Sequence, residues 1–181
     1  MFAEAVEALS DRLSEAGYEV LLGQSGFRKS REDELIAAVL SRKSDAVFLT
    51  GIAHSRQVRQ QLLAAKIPII ETWDLTPTPI DVVIGFSHQK VGRAAARFLF
   101  EKGYRHFAVV AAEDGRATQR RDGFLRELGE QGVTDVAVEM VSAPGTLELG
   151  RCHYGVWRFS LFRAYPSGLD DGKVRPAPDR F

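Results

Sequence analysis

The sequence predicts an α/β fold built on a parallel sheet with helices on both faces. Two observations carry the prediction. Short β-branched runs of the buried-strand kind alternate with segments whose apolar residues recur at helical spacing. That alternation is the signature of βαβ units, whose strands run parallel. The stretch 81–124 shows it most clearly, reading strand, helix, strand, helix. Val82, Val83 and Ile84 form the first run, and a polar turn at 85–88 opens a helix. On that helix Val91, Ala95, Phe98 and Leu99 fall at i, i+4, i+7 and i+8, an apolar stripe expected to face the core. Gly103 ends it, residues 107–111 make the next strand, and a polar loop at 113–119 leads to a helix with Phe124, Leu125 and Leu128.

The chain before that stretch follows the same grammar. Residues 2–16 read as a helix with Ala5, Val6, Leu9 and Leu13 on one face, stopped by Gly17. Residues 18–22 read as a strand and 24–29 as a loop. A second helix, 31–42, turns Leu35, Ile36, Val39 and Leu40 inward, and Arg31-Glu32-Asp33-Glu34 is its expected solvated first turn, with acidic groups suited to a helix N-terminus. Strand 45–50, helix 54–66 with Val58 and Leu62 inward, and strand 68–71 complete the series. In such sheets ligands sit beyond the carboxyl ends of strands. Those ends fall at 23–25, 50–54, 71–74 and 85–88, and the loop 113–119 belongs to a second lobe.

Composition narrows the function. With 24 basic and 24 acidic residues the chain lacks the basic excess of a free-standing nucleic-acid domain. The single cysteine, Cys152, excludes an internal disulfide and suits a reducing, cytoplasmic setting. No run approaches the roughly 18–20 apolar residues of a membrane span. The start, Met1-Phe2-Ala3-Glu4, has neither the basic nor the apolar region of a signal peptide. No Gly-x-Gly-x-x-Gly and no phosphate loop occurs, so no nucleotide cofactor is indicated. His54, His88, His106 and His153 lack metal-ligand spacing, and no Gly-x-Ser-x-Gly elbow supports a nucleophilic triad. No catalytic residue, cofactor or metal is therefore assigned.

The run from Val82 through Gly85-Phe86-Ser87, Gly92-x-x-Ala95 and Lys102-Gly103-Tyr104-Arg105, followed by Arg120-x-x-Gly123-Phe124, resembles the effector-binding domain of the LacI/GalR bacterial transcriptional regulators. The resemblance covers roughly residues 2–150. Within the family, 71–81 with Gly85-Phe86-Ser87-His88 is most similar to the gluconate-utilisation repressors. Many members carry Asp-Asn near Gly85-Phe86, and its absence narrows the subgroup. The resemblance implies a periplasmic-binding-protein-like type I fold in which two lobes close over an effector, with strand order 2-1-3-4-5. It also implies a helix-turn-helix head and hinge before this domain, operator DNA as partner through that head, and a homodimer. By the family pattern the domain's first strand is missing here and the second lobe is incomplete. The expected division is an N-terminal lobe at 1–103, the start of a C-terminal lobe at 104–150, and a divergent tail at 151–181.

The tail departs from the pattern. It holds six aromatics in 31 residues against eleven in the preceding 150, with no glutamate and no isoleucine. Helical periodicity vanishes there, and a shifted reading frame after about Gly150 is the expectation, with a divergent tail as the alternative. Residues 175–178, Arg-Pro-Ala-Pro, read as disordered.

Six residues are candidates for the effector. Arg120 stands three residues before Gly123-Phe124, the spacing of the family's effector-contacting arginine. A guanidinium offers a planar fork that fits a carboxylate or vicinal hydroxyls; the other reading is a surface arginine in a salt bridge. Arg116 lies in the same loop and assists, whereas Arg121 points elsewhere. Trp73 follows a short strand, where an indole face can stack on a sugar or pack between lobes. Glu71 and Asp74 could accept hydroxyl hydrogens, or solvate and cap a loop. Phe86 follows a strand end, and Ser87 reads as a helix cap. The function implied is an effector-sensing fragment of a LacI-type repressor that takes a gluconate-like sugar acid. An α/β enzyme, a periplasmic-type sugar-binding protein and a truncated product without activity are the alternatives.

Overall fold

A computed structural model describes residues 2–26 and 29–142. Parallel strands alternate with helices, as the sequence predicts, and the described residues group into two compact units that divide between Gly85 and Phe86. This division falls one helix earlier than the lobe boundary expected at 103/104. The tail at 151–181, with its frameshift and disorder expectations, lies outside the described residues.

The first unit contains α1 (Phe2–Glu15), α2 (Lys29–Ser41), β1 (Val47–Thr50), α3 (Arg56–Ala65), β2 (Ile69–Thr72) and β3 (Val82–Ile84). The strands form one parallel sheet in the order β1-β2-β3, with Val47 opposite Ile69 and Ile70 opposite Val82. Ile36, Val47, Leu49, Val58, Leu62 and Ile69 make the core, with Val39, Leu40, Ile67 and Ile80 packed on it. Helix α3 starts because the Ser55 hydroxyl accepts the Val58 N–H, 3.1 Å away. It ends where Lys66 turns left-handed, and its buried face is Val58 and Leu62, as read from sequence.

Three expectations for this unit are corrected. Residues 18–22 form no strand; Tyr18 and Leu22 are 53% and 62% exposed. A strand is a paired structure, and among the described residues no strand pairs with this segment, so its β-propensity has no ladder to join. On α1 the stripe is weak: Val6, Leu9 and Leu13 are only half-buried and Ala5 is exposed. The acidic turn of α2 is only partly solvated. Arg31 and Glu34 are exposed, but Glu32 bonds His54 at 2.7 Å and Asp33 accepts from the Ser55 hydroxyl at 2.8 Å.

The second unit contains α4 (His88–Glu101), β4 (Phe107–Ala112), α5 (Gly115–Glu130) and β5 (Val136–Val141). Strands β4 and β5 pair in parallel, Phe107 opposite Val136. Ala96, Phe107 and Leu128 are the buried centre, flanked by Leu99, Phe100, Phe124, Val133 and Val136. The rings of Phe107 and Phe124 meet edge-to-face at 6.1 Å.

Here the stripe expected on α4 is corrected. Val91 and Phe98 are 42% and 58% exposed, Ala95 is exposed too, and the buried face is His88, Gly92 and Ala96. The reason is a backbone approach between α4 and α5. A Cβ on Gly92 would collide with the Arg120 carbonyl, and one on Gly123 with the Gln89 carbonyl. Small residues let the helices come this close, so the small face turns inward and Val91 and Phe98 turn out, while Leu99 of the expected stripe still packs on the core. The loop expected at 113–119 is also shorter. Asp114 caps α5, its Oδ1 accepting the N–H groups of Arg116 and Ala117 at 2.9 and 2.8 Å, so the helix starts at Gly115. Ion pairs reinforce the α4–α5 pair: buried Glu127 accepts from Arg93 at 2.7 Å and Arg97 at 2.8 Å, and Arg93 also reaches Glu130.

Candidate functional site

In the first unit the chemistry gathers at the carboxyl ends of β1 and β2. Glu71 lies inside the unit rather than on an open face: its exposure is 0%, and its Oε2 accepts the Ile80 N–H at 2.7 Å. Its Oε1 faces His54 Nε2 at 3.5 Å, beyond hydrogen-bond geometry, and neither atom has another partner among the described residues. His54 Nδ1 meets Glu32 Oε1. The imidazole therefore stands between two carboxyl groups, one from α2 and one from β2. Burial opposes charging of the ring. The hydrogen bond and charge of Glu32, the charge of Glu71 and the Gly51 backbone outweigh that and raise its pKa above the ordinary 6.5.

Trp73 follows directly. Its N–H donates to the Ile84 carbonyl at 3.1 Å, and its backbone is left-handed with φ of 68°. A bulky residue held there stores strain, roughly 1–3 kcal/mol, which proteins keep mostly at functional positions. Asp74 is buried, and its Oδ1 accepts the Leu75 N–H at 2.8 Å, which tightens its own turn. Gly85 is obligatory beside it, since a Cβ there would run into the Asp74 backbone. Arg59 holds the far side of the 72–81 loop by donating to the Thr78 carbonyl at 2.8 Å.

In the second unit the start of α4 and the first turns of α5 meet. Ser87 caps α4 by accepting the Lys90 N–H at 3.2 Å. Arg120 is half-buried, and its Nη1 lies 2.8 Å from His88 Nδ1. His88 is 3% exposed, and its ring meets Phe86 edge-on at 4.9 Å between centroids. Arg116 sits four residues before Arg120 on α5, hence on the same helix face. Arg121 is engaged elsewhere, with Asp122 at 2.6 Å and the Met140 sulfur at 3.1 Å. The second unit thus brings Arg120 and Phe86 against His88, with Arg116 one turn before Arg120 on α5. In the first unit Trp73 and Asp74 occupy a β2 end that Glu71 anchors from inside.

Sequence reasoning did not assign His88, His54 or Glu32 to a site. His54 and His88 stand in the strand-end loops 50–54 and 85–88 that the sequence points to, and His88 also follows a helix cap directly, but neither signal gives them a role. His54 and Glu32 are 22 residues apart, and no spacing rule connects them.

Residues 1–144 match the family model described as periplasmic binding proteins and sugar binding domain of LacI family. The HTH-type transcriptional regulator GntR of Pseudomonas aeruginosa is 32% identical over 152 residues, covering 83% of this chain and 44% of that protein. The regulator of the same name in Escherichia coli K12 is 24% identical over 139 residues, 76% of this chain and 42% of its own length. The chain thus spans less than half the length of these relatives. A LacI family transcriptional regulator from Silicibacter pomeroyi superposes with a TM-score of 0.79 at 28% identity, over 91% of this chain and 61% of that one. Transcription regulator GntR from Chromobacterium violaceum gives 0.76 at 27% identity, over 91% and 59%. Family match and fold agree with the resemblance read from 82–124, and the chain belongs to the family of periplasmic binding proteins and LacI sugar-binding domains.

Proposed function

We propose that this chain is the effector-sensing part of a LacI-type repressor and that its effector is a sugar acid of the gluconate kind. The single observation that carries the reading is Arg120: a half-buried guanidinium at the spacing where the family's effector arginine is expected, with one amino group fixed by a buried histidine. Guanidinium recognises carboxylate through two parallel hydrogen bonds. Arg116, one turn earlier, adds positive charge on the same helix face, and Phe86 adds apolar surface beside it. In the first unit, Trp73 with its strained backbone and Asp74 are the further effector residues. Glu71 supports them by holding the loop through Ile80. The gluconate assignment rests on the resemblance of 71–88, and the relatives named GntR fit the same subgroup.

The sensor works by differential affinity: an effector shifts an equilibrium only as far as it binds one conformation better than the other. Operator DNA is contacted through a helix-turn-helix of the kind that the relatives' names state, in a cytoplasmic homodimer. Among the described residues no helix is long and apolar enough to cross a membrane. Calorimetric titration of the chain with gluconate tests the reading. Binding that Arg120→Ala weakens at least about tenfold, about 1.4 kcal/mol, is expected. Unchanged affinity in Arg120→Ala would remove that residue from the site.

A further inference from the structure

The contact between His88 and Arg120 does more than fill space. Guanidinium nitrogens carry only donors, so His88 Nδ1, 2.8 Å from Arg120 Nη1, must be the acceptor. The ring is then neutral with its proton on Nε2. The ring itself cannot wander: it is 3% exposed, it begins α4 directly after the Ser87 cap, and it stands against Phe86. Behind it the α4 and α5 backbones touch at Gly92 and Gly123, so the two helices that carry His88 and Arg120 are fixed against each other. Among the described residues no other acceptor holds the Arg120 side chain.

Which amino group the histidine takes matters. Nη1 lies on the Cδ side of the guanidinium. Nε and Nη2 lie on the opposite edge, where their N–H bonds run parallel and match the two oxygens of a carboxylate. We propose that His88 is a positioning residue for acid recognition: by occupying Nη1 it pins the guanidinium plane and presents the Nε/Nη2 edge to the effector's carboxylate. The proposal rests on Arg120 being the effector arginine. It also makes His88 a specificity residue, because the pinned fork discriminates a sugar acid from the corresponding neutral polyol.

The test uses the full chain and two probes, gluconate and neutral glucitol, titrated by calorimetry into wild type, His88→Leu, His88→Asn and Arg120→Ala. Leucine removes the acceptor. Asparagine can place its Oδ1 close to where Nδ1 stood. His88→Leu is expected to weaken gluconate about tenfold or more while leaving glucitol unchanged, and His88→Asn to recover most of the loss. A role in packing alone would weaken both probes together and would not be rescued by asparagine, and that result overturns the proposal. If His88→Leu binds gluconate like wild type while Arg120→Ala does not, the positioning role fails and the effector reading stands. If Arg120→Ala is also unaffected, the effector reading itself fails. Should His88→Leu not fold, nitrogen NMR of the wild-type ring decides: a pyridine-type Nδ1 and pyrrole-type Nε2 are expected, and a protonated Nδ1 refutes the arrangement.

Discussion

Replacing His54 by leucine should destabilise the first unit, and by an amount that depends on pH. The ring joins α2 to the sheet through Glu32 and stands against the fully buried Glu71. Leucine keeps similar bulk but removes one charge-assisted hydrogen bond and leaves the Glu71 Oε1 facing an apolar group. A hydrogen bond to a charged group is worth roughly 1.5–3 kcal/mol, and breaking a buried charge pair costs roughly 3–5, so about 3 kcal/mol is expected. For a chain of this size that is about 6–12 °C in thermal midpoint. The sign with pH follows from the raised pKa of His54. A folded value above the unfolded one means the fold favours the imidazolium. That stabilisation is complete below the ordinary 6.5 and is lost as pH rises through the higher folded value. Thermal unfolding followed by circular dichroism at pH 6 and pH 9 should show the larger gap between wild type and His54→Leu at pH 6. Equal gaps at both values, or a gap that widens at pH 9, would refute the charged-ring account.

Glu127→Gln reads the opposite sign in the second unit. The Arg97 hydrogen bond, opposed by burial and then joined by Arg93, holds the Glu127 carboxyl below its ordinary 4.5. Its contribution is therefore present above 4.5 and disappears as pH falls through the lower folded value, so wild type and variant should differ at pH 6 and converge in acid unfolding curves. Gly92→Ala would push a methyl into the Arg120 carbonyl; about 1–3 kcal/mol of destabilisation is expected in urea titrations, with weaker gluconate binding because Arg120 moves. Leu62→Ala opens the core of the first unit, where Leu62 is 1% exposed, and should cost about 2–5 kcal/mol by the same measurement without altering the chemistry at Arg120.

Most of the element series was legible because it depends on local pattern. Val58 and Leu62 on α3, the β-branched run of β3, the Gly103 stop and the Ser87 cap each declare themselves within one or two turns of chain. What escaped depends on partners. Residues 18–22 have strand composition but pair with no strand among the described residues. Strand β5, 136–141, went unassigned, though it pairs along its whole length with β4. The buried face of α4 was misread because periodicity rewards large apolar side chains, whereas Gly92 and Gly123 are buried for the backbone contact they allow. The site divided along the same line. Arg120 could be picked out by its spacing to Gly123-Phe124. The inward turn of Glu71 and the link from His88 to Arg120 across 32 residues are products of packing.

The central claim is that the Arg120 guanidinium holds the carboxylate of the effector. A thermodynamic cycle tests it most directly, crossing Arg120→Ala with removal of the ligand's own carboxylate, gluconate against glucitol, by calorimetry. The account predicts strong coupling: the mutation costs gluconate about tenfold or more and leaves glucitol nearly unchanged. Equal losses for both ligands, or none for either, would contradict it.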